Sequence, residues 1–270
     1  MRKLLLLSTS VLQNGKYLEY ASDVIKSFFT ENGVSKIVFI PYAAHDHDAY
    51  ERKVKDAFSE FGLELNSIHK SGNQLSTIKE AQGFFVGGGN TFLLLKTLYD
   101  LNLLEAIRDR VVQVQYKFSF ISCLRFKFNL LEAIRDRVVQ DGVPYMGASA
   151  GTNLATVNIC TTNDMPIVHP TSLDALGFLP FNINPHYLDP DPNSKHMGET
   201  RETRISEYHG IPNVCSPPVL GLREGSWLQV KDDQILLKGC IPNQCARLFI
   251  RGQIPKEHEV NSDLSFLLKM

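Results

Sequence analysis

The sequence predicts an α/β fold: a largely parallel sheet with helices on both faces. Two observations carry this. Short apolar runs alternate with amphipathic stretches through the first half of the chain, the pattern of βαβ units whose strands are buried on both sides. A strand-like stretch then enters Gly147-Ala148-Ser149-Ala150-Gly151 and a helix-compatible one leaves it. A serine so flanked is a nucleophile elbow, which belongs at the end of a strand in a sheet of this kind.

The elements follow in order. Residues 4–7 are all leucine and read as a buried first strand. Leu18, Ala21, Ile25 and Phe28 recur at helical spacing until Asn32-Gly33 stops them. Residues 36–41 form a second strand. Residues 50–61 form a helix with Val54, Ala57, Phe58 and Phe61 on one side. Strands are expected at 63–68 and 83–86, and a helix from near Thr91. Beyond about residue 215, residues 219–222, 227–230 and 235–237 read as short antiparallel strands. Asp232-Asp233 turns the chain between the last two.

With 270 residues, 43% of them hydrophobic, the chain can bury a substantial core, and one domain over 1–270 is expected. A formal charge of −1 gives no support to a nucleic-acid or acidic-membrane partner. Five cysteines, Cys123, Cys160, Cys215, Cys240 and Cys245, are an odd set, with only Cys240 and Cys245 close together. Reduced thiols in a cytoplasmic protein are the simpler reading. The start imitates a signal peptide, yet its apolar run breaks at Ser8-Thr9-Ser10 and no small-x-small cleavage site follows. No apolar run approaches membrane-spanning length.

One feature is abnormal. Residues 102–113 recur identically as 129–140. Solenoid repeats need several degenerate copies, so two perfect copies look like a recent duplication. Each copy is an amphipathic helix, and one suffices to lead into the elbow strand. The other, with the aromatic-rich stretch 114–128, is surplus, which puts the extra segment at about 114–140. Alternation of Tyr116, Phe118, Phe120, Phe126 and Phe128 with polar residues reads as a pair of strand segments.

Several residues could carry chemistry. Small residues around Ser149 let the backbone turn sharply enough to expose one hydroxyl, but a serine needs a neighbouring base. His186, in Ile183-Asn184-Pro185-His186, follows a strand and is placed as that base. Asp164 and Glu224 are carboxylates beside turn residues, and either could orient His186. Gly87-Gly88-Gly89-Asn90 lies between a strand and a helix, where backbone N–H groups can approach an anion. It is neither a dinucleotide fingerprint nor a P-loop, and an oxyanion hole fits better. His45 and His47 invite a metal reading, but no third ligand group is evident; no metal and no cofactor are expected.

Several blocks in order resemble the peptidase E family of cytoplasmic α-aspartyl dipeptidases. They are residues 4–8, 86–92, 147–155, 161–168, 183–186, 198–201 and 224–227. The match spans the chain except for residues around 102–140 and the extreme C-terminus. The resemblance implies a flavodoxin-like sheet related to glutamine amidotransferases. It assigns Ser149 as nucleophile, His186 as base, Glu224 as the acid of a Ser-His-Glu triad, and Asp164 as a further essential aspartate. Ala150 with Gly88 or Gly89 matches the oxyanion hole, and Asn90, beside those glycines, is a candidate substrate-binding residue. Arg201 is a candidate partner for a substrate aspartate, since a guanidinium pairs two-pronged with a carboxylate; a helix-start surface arginine is the competing reading. The expected partner is a small dipeptide with an N-terminal aspartate, with a homodimer as an admissible assembly. Two rivals stand: another serine peptidase or an esterase on this scaffold, and a folded, inactive variant that only binds.

Overall fold

Leu4, Leu5, Leu6 and Leu7 are all fully buried in β1 (Lys3–Leu7), and their alternation defines the two layers of the core. Leu4 and Leu6 pack with Val38, Ile40, Phe84 and Val86 on one face. Leu5 and Leu7 pack with Phe39, Phe85 and Met146 on the other. A strand apolar on both faces must be central in a covered sheet, and β1 is. The computed structural model describes residues 2–101, 142–193, 195, 197–212, 216–241 and 246–270. Both copies of the duplicated stretch and the aromatic-rich residues 114–128 between them lie outside the described residues.

After β1 come α1 (Ser22–Glu31), β2 (Lys36–Ile40), α2 (His47–Glu60), β3 (Glu64–Ser67), α3 (Gln74–Glu80), β4 (Gly83–Val86) and α4 (Thr91–Asp100). Beyond the undescribed stretch lie β5 (Tyr145–Ala148), the five-residue α5 (Ala150–Leu154), β6 (Asn182–Pro185) and α6 (Arg201–Gly210). β7 (Val219–Leu222), β8 (Ser226–Lys231), β9 (Gln234–Gly239), β10 (Ala246–Phe249) and β11 (Lys256–His258) complete the described elements. Gly33, at φ 70°, ends α1 as the sequence predicts. α2 begins three residues before the expected Tyr50 because Asp46 caps it, its carboxylate accepting from the Ala49 N–H at 2.9 Å. α3, which the apolar pattern did not reveal, starts from a similar cap at Asn73.

The larger sheet runs β3-β2-β4-β5-β1-β8-β9. Its first five strands are parallel, and β8 and β9 add in antiparallel fashion at the far edge. Asp232, at φ 54°, makes the expected turn between β8 and β9. A second sheet, β11-β10-β7-β6, was not foreseen. In it β7 is antiparallel to β10 but parallel to β6. Residues 219–222 thus form an antiparallel pair with a later strand, as expected, but also a parallel one with β6, because strand partners distant in sequence leave no local signal. Ile183, Leu220, Leu222 and Leu248 of this second sheet share the core with α4 and α5. Ile25 and Phe29 of α1 and Val54 and Phe58 of α2 cover the opposite face. Among the described residues no helix is long and apolar enough to cross a membrane.

Candidate active site

β5 ends at Ala148, α5 begins at Ala150, and Ser149 between them is held at φ 53°, ψ −108°. A non-glycine residue adopts such a backbone only when its surroundings impose it. The flanking glycines serve close approach rather than positive φ. A Cβ on Gly147 would lie 2.5 Å from the Gly151 carbonyl oxygen, and one on Gly151 would lie 2.2 Å from that of Val86. Thr152 Oγ1 is hydrogen-bonded to the Leu7 and Gly147 carbonyls at 2.7 and 3.0 Å, and the Ser149 N–H donates to Leu7 O at 3.1 Å. The elbow is thereby fastened to the end of β1.

His186 follows β6 and is also held at positive φ, 53°. Its Nε2 lies 2.8 Å from Ser149 Oγ and its Nδ1 lies 2.6 Å from Glu224 Oε1. Neither His186 nor Glu224 is deeply buried, at 37% and 45% side-chain exposure, so solvent reaches the pair. The backbone of His186 is fixed from below. Ser8 Oγ, fully buried at the end of β1, accepts the His186 N–H at 2.9 Å and donates to Leu222 O at 2.7 Å. Arg223, beside Glu224, forks onto Asp189 and Glu257 with four contacts of 2.7–3.0 Å. These pairs hold the Asp189 carboxyl below its usual range.

Asp164 stands elsewhere. Its Oδ2 accepts from the Thr91 N–H at 2.7 Å, from Thr91 Oγ1 at 2.5 Å and from Thr162 Oγ1 at 3.1 Å, fixing the start of α4. Of the two carboxylates left open by the sequence, the structure brings Glu224 to His186 and takes Asp164 to α4. Asn90 caps the same helix, accepting from the Leu93 N–H at 3.0 Å while donating to Met165 O at 2.9 Å. Arg201, half-buried at the start of α6, has its pKa lowered by burial and by Arg204, with the Asp164 carboxylate opposing. His47 packs its ring against Tyr42 and His69, at 5.3 and 5.5 Å between centroids. Asp48, Glu51 and His69 carry potential ligand atoms within 4.8 Å of one another. The Lys70 ammonium already balances the two carboxylates, at 3.2 and 2.6 Å.

A cavity of about 350 Å³ opens on Ser149 and His186. Gly88 and Gly89 form one wall; a Cβ on Gly88 would stand 3.2 Å from Ser149 Cβ, and one on Gly89 would strike Ala43 O at 2.3 Å. Gly89, at φ 134°, admits no other residue without strain. A Cβ on Gly87 would strike the Tyr50 hydroxyl at 2.2 Å, and that hydroxyl lies 3.0 Å from the one of Tyr17. Burial pushes the Tyr50 phenol up to about 12 and raises that of Tyr17 as well. Lys53 reaches over the Tyr17 ring, 4.4 Å from its centroid. Asn90, Asp164 and Arg201 do not line this cavity. Sequence reasoning did not single out Ser8, Tyr17, Tyr50 or Lys53 as site residues. Ser8 was visible as the break in an apolar run and as the end of the block 4–8, without a role, and the other three meet the elbow solely through tertiary contact.

The arrangement can deliver a serine hydroxyl with an adjacent imidazole base and a carboxylate behind it. The sequence model of peptidase family S51 matches residues 4–116 and 117–238. The chain is 46% identical over 265 residues to peptidase E of Streptomyces coelicolor, covering 98% of this chain and 94% of that protein. It is 41% identical over 271 residues to a probable alpha-aspartyl dipeptidase of Drosophila melanogaster, covering 99% and 98%. Two solved structures share its fold. A putative peptidase E of Listeria monocytogenes aligns at a TM-score of 0.58 and 19% identity, covering 89% of this chain and 100% of that one. A peptidase from an acI-B1 actinobacterium aligns at 0.64 and 15%, covering 98% and 97%. By the extent of the family match and by its full-length relatives, the chain belongs to peptidase family S51, a family of serine-type peptidases.

Proposed function

We propose that this peptidase hydrolyses dipeptides with an N-terminal aspartate through an acyl-enzyme on Ser149. The observation that carries the reading is the continuous Ser149–His186–Glu224 contact, at 2.8 and 2.6 Å. Ser149 Oγ attacks the carbonyl of the aspartate as His186 Nε2 takes its proton. His186 then protonates the leaving amine, and the acyl-enzyme forms. Water, deprotonated by the same imidazole, releases aspartate. Glu224 holds the Nδ1–H and stabilises the imidazolium. The oxyanion falls to the N–H groups of Ala150 and of Gly88 or Gly89. Arg201 pairs with the substrate aspartate, and Asp164 and Asn90 set the α4 start beside it. The aspartyl preference is supported by the name of the Drosophila relative. The odd cysteine count supports a cytoplasmic setting, and no metal or cofactor takes part in the scheme.

The test is turnover of Asp-Leu beside Glu-Leu and simple esters, with a fluorophosphonate probe of Ser149. Ser149→Ala is expected to abolish both labelling and turnover, because a triad knock-out removes several orders of magnitude in rate. A variant retaining a tenth of the activity would overturn the assignment. Equal turnover of Asp-Leu and Glu-Leu would refute the aspartyl preference, and a chain that neither labels nor turns over would be a binding protein.

A further inference from the structure

We propose that Lys53 binds the free α-carboxylate of the leaving residue, so that the enzyme selects dipeptides over substrates blocked or extended at the C-terminus. This rests on the serine-dipeptidase reading of the same site. The leaving amine must come within reach of His186 Nε2, so the leaving residue has to occupy space bounded by both Ser149 and His186. The cavity of about 350 Å³ meets that condition and lies in the range of small-ligand sites, roughly 300–1,000 Å³. Among the described residues no acidic side chain lines it, and the Lys53 ammonium is its one lysine or arginine charge.

Lys53 projects from α2, exposed, with its ammonium 4.4 Å from the centroid of the Tyr17 ring. Among the described residues it forms no ion pair, unlike Lys70, which holds Asp48 and Glu51. A cation placed over an aromatic face at the mouth of a cavity, with no internal carboxylate, is available to an external one. The paired hydroxyls of Tyr17 and Tyr50 lie along the same wall and add hydrogen-bonding partners.

The placement also separates two carboxylates. α2 packs on one face of the larger sheet, through Val54 and Phe58. α4, whose start Asp164 fixes within electrostatic reach of Arg201, packs on the other through Leu94, Leu95 and Leu98. Ser149 follows β5, a central strand, and sits at the carboxyl ends of the parallel strands between the two helix layers. An Asp-Xaa dipeptide laid across those strand ends presents a carboxylate to each side: the aspartate side chain toward Arg201 and the terminal carboxylate toward Lys53.

The experiment compares kcat/KM for Asp-Leu, Asp-Leu amide and Ala-Leu in the full chain and its Lys53→Met and Lys53→Arg variants. The amide removes the terminal carboxylate and Ala-Leu removes the other. Lys53→Met is expected to shrink the preference for Asp-Leu over its amide at least about tenfold, as loss of one charge-assisted pair implies, and to leave the preference over Ala-Leu within about twofold of the parent's. Lys53→Arg should keep most of the amide discrimination. An unchanged amide preference in Lys53→Met overturns the inference. So does a loss confined to the preference over Ala-Leu, which would put the aspartate side chain at Lys53. A parent chain that turns over neither Asp-Leu nor its amide refutes the aspartyl dipeptidase reading itself, and this inference with it.

Discussion

Ser8→Ala removes one buried hydroxyl, and its consequences can be worked from three bonds. Ser8 Oγ accepts the His186 N–H and donates to Leu222 O. Leu222 O also receives the Tyr187 N–H at 3.2 Å, so alanine leaves that carbonyl satisfied. The His186 N–H alone loses its partner. An orphaned buried donor costs about 1–3 kcal/mol. In a domain of this size each kcal/mol shifts Tm by roughly 2–4 °C, so the expected fall is from about 2 to about 12 °C. Catalysis should suffer separately. His186 is held at φ 53°, a conformation that costs about 1–3 kcal/mol and persists only while its surroundings enforce it. Without the Ser8 bond the backbone can relax and carry Nε2 away from Ser149, and a displacement of about 1 Å can cost about 10²-fold in rate. Thermal melts, kcat and KM for Asp-Leu, and the fluorophosphonate labelling rate check this. The expected pattern is a fall in kcat and labelling with KM little changed. A variant with parental Tm and kcat would refute the account. A lowered Tm with parental kcat would make Ser8 a purely structural residue and refute the link to His186.

Three further outcomes are expected. Glu224→Gln should cut kcat by two orders of magnitude or more at parental Tm, whereas Asp164→Asn should lower Tm through the α4 start and weaken the preference for aspartate; identical profiles for the two would refute their separate assignment. Gly151→Ala places a Cβ 2.2 Å from Val86 O, so a loss of about 3 kcal/mol or more, or insoluble protein, is expected. Gly177→Ala, at φ 64° with no neighbouring atom, should lose far less, and a Gly151 variant as stable as that control would show that α5 can move. Deletion of residues 114–140, which joins Gln113 to Asp141, should give a chain at least as active and less prone to self-association by light scattering; lost activity would mean the segment belongs to the working fold.

What the sequence disclosed was local. The all-leucine run of β1, the stop at Gly33, the strand at 83–86 and the elbow at Ser149 each depend on neighbours a few residues away, and each stands where the pattern put it. α3 escaped notice because seven residues with only Leu75 and Ile78 buried give no extended stripe. The second sheet escaped because β6 and β7 are joined across intervening loops and α6. Their pairing depends on burial against α4 and α5, not on anything between them in sequence.

The same cause left Glu224 and Asp164 indistinguishable as sequence features. β6 and β7 run parallel with Pro185 opposite Leu222, and adjacent strands lie about 4.8 Å apart. His186 is the first residue past that pair on one strand and Glu224 the second on the other. Register therefore fixes their meeting, and a slip of one residue would turn the carboxylate to the opposite face. Asp164 lies in the loop between α5 and β6, and its Oδ2 accepts from Thr91 and Thr162 at the start of α4, away from the imidazole. Ser149, however, comes from the other sheet, so register alone cannot bring the nucleophile to the base. That junction is made at the end of β1, where Leu7 O receives Ser149 N–H and Thr152 Oγ1 while the next residue, Ser8, grips His186 and Leu222. The serine at which the first apolar run breaks is thus the point where the two sheets are locked together, and the order Ser149, His186, Glu224 along the chain follows from β5, β6 and β7 ending at that point in turn.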